Sequence, residues 1–448
     1  MSFFFLKEQA CYLSCINSIL LYSPKLSNRL QYILNTLLAD GLGLSLRITT
    51  TEEEYATHRG PAINYSEKGL GHGIQILPHS ILFDHGIRDY HLEVSSHPRF
   101  HKIFMKNAGQ DLPFDLLGAS FWLLSRYEEY LPHKSDGFDR FHYRSSLAYQ
   151  YDFIQLPLVN LWLTEFSKLL GERYPEMVFK KHEYSFVSSI DVDNAYKYKY
   201  KGFVRTLAGI VSEPKWSSIR ERFRIILNKA RDPFDCYDYL IEVHKKEGTK
   251  ALYFMLLGDY GPNDKNHSAS DLRFQALIKH LADYAHMGIH PSFGSNNNLR
   301  QLKVEVSRLG NITHRLITKT RQHFAMLKFP KTYQDLLQAG LFADYSMGYT
   351  NYNGFRASYC FPYKWYSLDI ESVSALTIHP FCISENTLLT QSKLQQKGLM
   401  ELSLPILNEV KKYGGEMISI FHNDNFNEEI KQFYAVFIKE AGKTDQNG

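Results

Sequence analysis

The chain has 448 residues, 44% of them apolar and 22% charged, which fits an ordinary globular protein and exceeds the size at which one hydrophobic core stops growing. Its formal charge of +4 is small and spread without long basic runs, so nucleic acid is set aside as a partner. Five scattered cysteines, Cys11, Cys15, Cys236, Cys360 and Cys382, form no CxxC pair, which argues against a disulfide framework or a cysteine zinc site.

In chain order, residues 1–22 are apolar but carry Lys7 and Glu8, with no basic leader and no small-residue cleavage site. No run of about 20 apolar residues occurs elsewhere, so no membrane span is expected and a cytoplasmic location follows. Residues 26–38 repeat apolar side chains at helical spacing (Leu26, Leu30, Ile33, Leu34, Leu37, Leu38), with Ser23 and Pro24 as cap and first position and Gly41 beyond the end. Strand-like runs follow at 44–49, 73–77 and 90–94, then an apolar helix over 113–131. Together they predict a mixed α/β N-terminal domain over residues 1–180.

From Tyr184 the texture changes to alternating strand and helix. Strands are expected at 184–190, 250–257 and 415–421, with a short one ending at His290; helices are expected at 237–247, 270–286, 299–309 and 332–339. Repeated βα units imply a parallel sheet, open or closed into a barrel, over residues 181–440. Residues 197–230 read as a basic helical insertion on the outside, and the tail 443–448 has nothing to bury.

In parallel βα architectures the working residues gather where strands end. That rule selects Asp191 and Asp193 after one strand, His290 after another, Arg321 and His323 in a third, and His422 after the last. Carboxylate and imidazole are the ligands a catalytic zinc takes while leaving a position for water. Taken singly each residue has a plainer explanation: a terminal Asp caps a turn, a strand Arg pairs with a surface acid. His286 and His290 sit four apart, but Gly288 between them argues against one helix face carrying both.

Taken in order, Ser189 to Asp193, Gly288 to His290, Arg321 to Phe324 with Ala343 to Ser346, and Ile420 to His422 resemble the successive motifs of the polysaccharide deacetylases, the NodB-like carbohydrate esterases. The resemblance covers roughly residues 184–430. The stretches 124–130 and 137–141 resemble the extra N-terminal domain of a bacterial subgroup. The resemblance implies a distorted (β/α) barrel and metal-dependent removal of acetyl groups from an N-acetylated glycan. It implies Asp191 as general base, Arg321 as the residue holding that base, His422 as general acid, and Asp193 and His290 as ligands of a divalent metal, zinc by preference. The second histidine of the family's second motif is replaced by Gly294, so His323 is the candidate third ligand.

A catalytically degenerate sugar-binding or assembly protein on the same fold is the competing reading. It draws on that missing histidine and on the aromatics Tyr349, Tyr352, Phe355, Tyr359, Tyr363, Trp365 and Tyr366. The Gly and Pro punctuation of 354–363 predicts an exposed, substrate-contacting loop.

Overall fold

The computed structural model describes residues 17–201 and 216–443. The start of the chain with Cys11 and Cys15, part of the 197–230 insertion and the tail from 444 lie outside the described residues. Two compact units are formed, Met1–Glu183 with Phe355–Ala375 and Lys412–Gly415, and Tyr184–Gly354 with Leu376–Lys411 and Glu416–Gly448. Among the described residues no helix is long and apolar enough to cross a membrane.

In the first unit, β1 (Ser18–Tyr22), β2 (Ser45–Thr49), β3 (Ala62–Asn64) and β4 (Ile74–Gln75) form a parallel sheet in the order β2-β1-β3-β4. The unbroken apolar run Ile19–Tyr22 belongs to an interior strand, whereas β2 exposes alternate residues, as an edge strand does. The helix Asn28–Leu34 is capped by Ser27, whose Oγ accepts the Leu30 N–H at 3.0 Å, and not by Ser23 and Pro24. The helix expected over 113–131 spans only Leu116–Leu124, because Arg126 turns left-handed (φ +55) and the chain tightens into the turn Tyr127–Tyr130. Residues 90–94 are irregular, and the strands nearby are a short antiparallel pair, β5 (Ser95–His97) and β6 (His101–Ile103).

In the second unit, β7 (Ser185–Val192), β8 (Leu252–Leu256), β9 (His286–His290), β10 (Lys319–Thr320) and β11 (Ala343–Asp344) come first. After β12 (Tyr363–Ser367), which belongs to the first unit, the chain adds β13 (Ser372–Ile378), of which Leu376–Ile378 belong to the second unit, then β14 (Ile383–Ser384) and β15 (Glu416–His422). The neighbours run β13-β11-β10-β9-β8-β7-β15-β14, all parallel. The helix Leu272–Tyr284 presents one apolar stripe, burying Phe274, Leu277, Ile278 and Leu281 at helical spacing.

This sheet is curled. Phe254 on β8 and Tyr345 just after β11 are three strands apart, about 14 Å on a flat sheet, yet their ring centroids are 5.5 Å apart. With Leu252, Phe381, Ile418 and Ile420 they form one core cluster inside the curve. The hydrogen-bonded ladder nevertheless leaves β13 and β14 unjoined among the described residues, so the pairings themselves do not close a barrel.

Candidate metal centre

The carboxyl ends of β7, β9 and β15 converge. Asp191 on β7 is the register partner of His422 on β15 and of Phe254 on β8. Asp193 follows two residues later on the same side of the extended chain, and His290 is the last residue of β9. Arg321 and His323 do not lie within a strand as expected, because β10 stops at Thr320. They still track β9: Arg321 N–H donates to Ile289 O at 3.1 Å and His323 N–H to Pro291 O at 3.2 Å, before the turn His323–Ala325. His286 sits at the opposite, exposed end of β9, roughly 13 Å along the strand from His290.

Ligating atoms of Asp193, His290 and His323 lie within 4.8 Å of one another. His290 Nε2 is 3.2 Å from Asp193 Oδ1, and His323 Nε2 is 3.5 Å from Asp193 Oδ2. His290 Nδ1 faces the Arg321 carbonyl, which can only accept, so Nδ1 carries a proton and Nε2 is the atom turned to Asp193. His323 Nδ1 likewise meets Asp264 Oδ1 at 3.1 Å. Burial pushes the Asp193 carboxyl up, but the charge of His323 and the close contacts to both imidazoles hold it well below the usual carboxylate range. Burial pulls His323 down, and the charges and contacts of Asp193 and Asp264 overcome it, raising its pKa to about 9.

These residues fit a divalent ion. Asp193 Oδ1 is buried and accepts no hydrogen bond, although an imidazole nitrogen is 3.2 Å away. One carboxylate and two imidazoles form a donor set suited to zinc with a further position open. Asp193 keeps 25% of its side-chain exposure while His290 and His323 are buried, so the cluster opens to solvent on the Asp193 side.

Asp264 was not singled out by the sequence. It lies in the irregular stretch after β8, where no periodicity marks it. Besides His323 it accepts the N–H groups of Phe293 (2.8 Å) and Gly294 (3.0 Å). Burial raises its pKa, but His323 and those two N–H groups outweigh burial and lower it. The loop that carries Gly294 is thus tied, through one carboxylate, to the His323 imidazole.

On the other side of Asp191, Arg321 Nη1 donates to Asp191 Oδ1 at 2.9 Å and to Ser189 Oγ at 2.6 Å, while its Nε donates to Tyr345 O at 3.0 Å. Arg321 therefore holds the carboxylate by a single hydrogen bond. The guanidinium lies 4.5 Å over the Phe254 ring, and that ring occupies the space left by Gly288. His422 Nε2 is 3.9 Å from Asp191 Oδ2, and its Nδ1 meets Glu385 Oε1 at 2.6 Å. Glu385, fully buried at the start of the helix Glu385–Gln395, also accepts the His422 N–H and the Asn425 side chain. Burial lowers the His422 pKa, but the charge and hydrogen bond of Glu385, with smaller contributions from Asp193 and Asp191, raise it well above the usual imidazole range. Glu385 too escaped the sequence reading, whose single available cue was an acid opening a helix.

The stretch 354–363 is not an exposed loop. Phe355, Tyr359, Cys360 and Tyr363 are buried, as are Tyr349, Trp365 and Tyr366, so these aromatics fill cores. Cys236, Cys360 and Cys382 are buried thiols outside any disulfide.

Solved structures with similarity to this chain include a candidate polysaccharide deacetylase from Mycobacterium smegmatis, with 12% identity and TM-score 0.34, covering 57% of this chain and 84% of that one. A polysaccharide deacetylase from Bacillus cereus gives 12% identity and TM-score 0.28 over 58% and 87% of the two chains. A family 4 carbohydrate esterase from Streptomyces lividans, solved with acetate, gives 10% identity and TM-score 0.27 over 59% and 88%. No curated protein matches the chain. Residues 19–175 match a family of unknown function, DUF7033.

Proposed function

We propose that the second unit is a metal-dependent hydrolase of the polysaccharide deacetylase type, on a distorted (β/α) barrel, that removes the acetyl group from an N-acetylated glycan or glycan precursor. One observation carries the reading: three metal-ligating side chains, Asp193, His290 and His323, converge beside a carboxylate held by an arginine and a histidine held by a buried glutamate. Bound there, a divalent ion would polarise the amide carbonyl and make water a nucleophile near neutral pH.

The remaining chemistry belongs to the chain. Asp191 is the base that accepts the proton of the attacking water, aimed by the Arg321 bond. His422 is the acid that protonates the departing nitrogen; Glu385 favours its charged form and fixes the ring so that Nε2 faces Asp191. The 3.9 Å between Asp191 Oδ2 and His422 Nε2 is too long for a hydrogen bond, so neither group is tied up by the other and both can address an amide lying over them. The burial of the aromatics that favoured a sugar-binding relic removes much of the support for that reading.

The test is acetate release from a panel of N-acetylated oligosaccharides by the purified chain, before and after chelation and after restoring zinc. Acetate release that chelation abolishes and zinc restores supports the proposal. A chain that binds zinc stoichiometrically yet releases no acetate from any of them overturns it.

A further inference from the structure

Within the first unit, beside the end of the helix Leu116–Leu124, lies a cavity of about 980 Å³. That is the upper end of the range for small-molecule sites, roughly 300–1,000 Å³. Tyr90 and Trp122 form part of its wall, with Glu128, Lys134, His142 and Arg144 around them.

The wall is rigid. Trp122 stacks on Tyr127 at 4.6 Å between centroids and meets Tyr90 edge-on. Beneath it, Arg126 pairs with Glu128 (2.7 Å) and Glu129 (2.8 Å), and Arg356 pairs with Glu129 (2.8 Å), all buried. Such a buried ionic cluster adds little net stability but holds its surroundings in one arrangement.

Donors and positive charge dominate the lining, although Arg144 Nε already donates to the Tyr143 hydroxyl at 3.2 Å. The lining carboxylate, Glu128, is already engaged by Arg126 and by the Leu147 N–H at 2.8 Å. Lys134 and Arg144 are exposed, and among the described residues no carboxylate comes within ion-pair distance of either. The indole N–H of Trp122 is buried and donates to nothing. A purely apolar ligand would leave these groups unanswered, and an inorganic anion alone would leave most of a cavity of this size unfilled. A flat base finds no ring face to stack on, since Trp122 is 4% exposed with one face against Tyr127. Sugar hydroxyls need no such platform.

We propose that this cavity binds an anionic saccharide, a sugar unit carrying a carboxylate or a phosphate, with Lys134 and Arg144 meeting the anion and Trp122 within reach of a ring oxygen or hydroxyl. The site is independent of the metal centre, and the proposal stands whether or not the second unit hydrolyses amides.

The test titrates the full-length chain calorimetrically with digalacturonate, glucosamine 6-phosphate, neutral cellobiose and uridine monophosphate. At least one charged saccharide should bind about tenfold or more tightly than cellobiose, and which one binds identifies the anion. Arg144→Ala with Lys134→Ala should weaken that binding about tenfold or more with Tm unchanged, because both side chains are exposed. Trp122→Phe, which keeps the ring stack and removes the donor, should also weaken it several-fold. No binding of either charged saccharide up to about 5 mM, parent-like binding by the double variant, or tighter binding of cellobiose or uridine monophosphate would overturn the proposal.

Discussion

Asp191 and His422 are register partners on adjacent parallel strands, and their side chains face each other at 3.9 Å across the mouth of the second unit's sheet. Neighbouring strands fix that separation through their backbone ladder, so the proposed base and acid are positioned by the sheet. Each also has its own clamp, Arg321 for Asp191 and Glu385 for His422.

Asp191→Asn removes the base and leaves the Asp193, His290 and His323 donors intact. We expect kcat for acetate release to fall by about 10²–10⁴ with KM little changed. His422→Ala should fall similarly, but less for substrates whose departing amine is less basic. Steady-state kinetics on one N-acetylated substrate, with a second bearing an activated leaving group, checks both. Parent-level turnover by Asp191→Asn would remove it from the mechanism.

Asp264→Asn tests the contact between Asp264 and the proposed ligand His323. The neutral side chain should orient His323 poorly, and zinc affinity should fall about 10–100-fold. Competition against a chromophoric chelator measures this directly, without substrate. Unchanged affinity would make the Asp264 contact a loop tie and nothing more.

Gly288→Ala should destabilise the second unit. A Cβ there would stand 2.5 Å from the Phe254 ring and 3.1 Å from the Lys319 carbonyl, inside a packed core. The expected loss is about 1–3 kcal/mol in chemical denaturation. The displaced ring should also shift Arg321, so turnover should fall beyond what the unfolded fraction explains. A variant as stable and active as the parent would show that the ring has room to yield.

His244 sets a pH dependence of stability away from the metal centre. Its ring contacts the Thr249 hydroxyl at 2.8 Å and the Tyr434 hydroxyl at 2.7 Å, and burial pulls its pKa down to about 4. The unfolded chain takes up a proton as pH falls below 6.5, and the folded chain does not until about 4. The stability this contributes is full above 6.5 and is lost progressively down to about 4, roughly 3 kcal/mol in total. Denaturation of parent and His244→Gln between pH 4 and 7 should give curves that converge as pH falls. Parallel curves would contradict the assignment.

The parts of the site that were legible in the sequence share one signature, an apolar run ending in an acid or imidazole. β7 into Asp191 and Asp193, β9 into His290, and β15 into His422 all carry it, because a strand buried on both faces reads as a continuous apolar segment. Asp264 and Glu385 carry none: one lies in an irregular stretch, the other follows a two-residue strand. The two-residue strands β10 and β11 likewise fall below any detectable period. The stretch 355–366 misled for a different reason. Gly354 and Pro362 mark turns, but punctuation says nothing about burial, and here the aromatics between them face a core.

The central claim is that Asp193, His290 and His323 hold one divalent ion while Asp191 does not. Elemental analysis of zinc in the purified parent, Asp193→Asn and Asp191→Asn proteins tests it most directly. The account predicts about one zinc per chain in the parent and in Asp191→Asn, and loss of metal from Asp193→Asn, whose amide oxygen is a poorer ligand than a carboxylate. Full zinc occupancy in Asp193→Asn, or loss of zinc from Asp191→Asn alone, would contradict it.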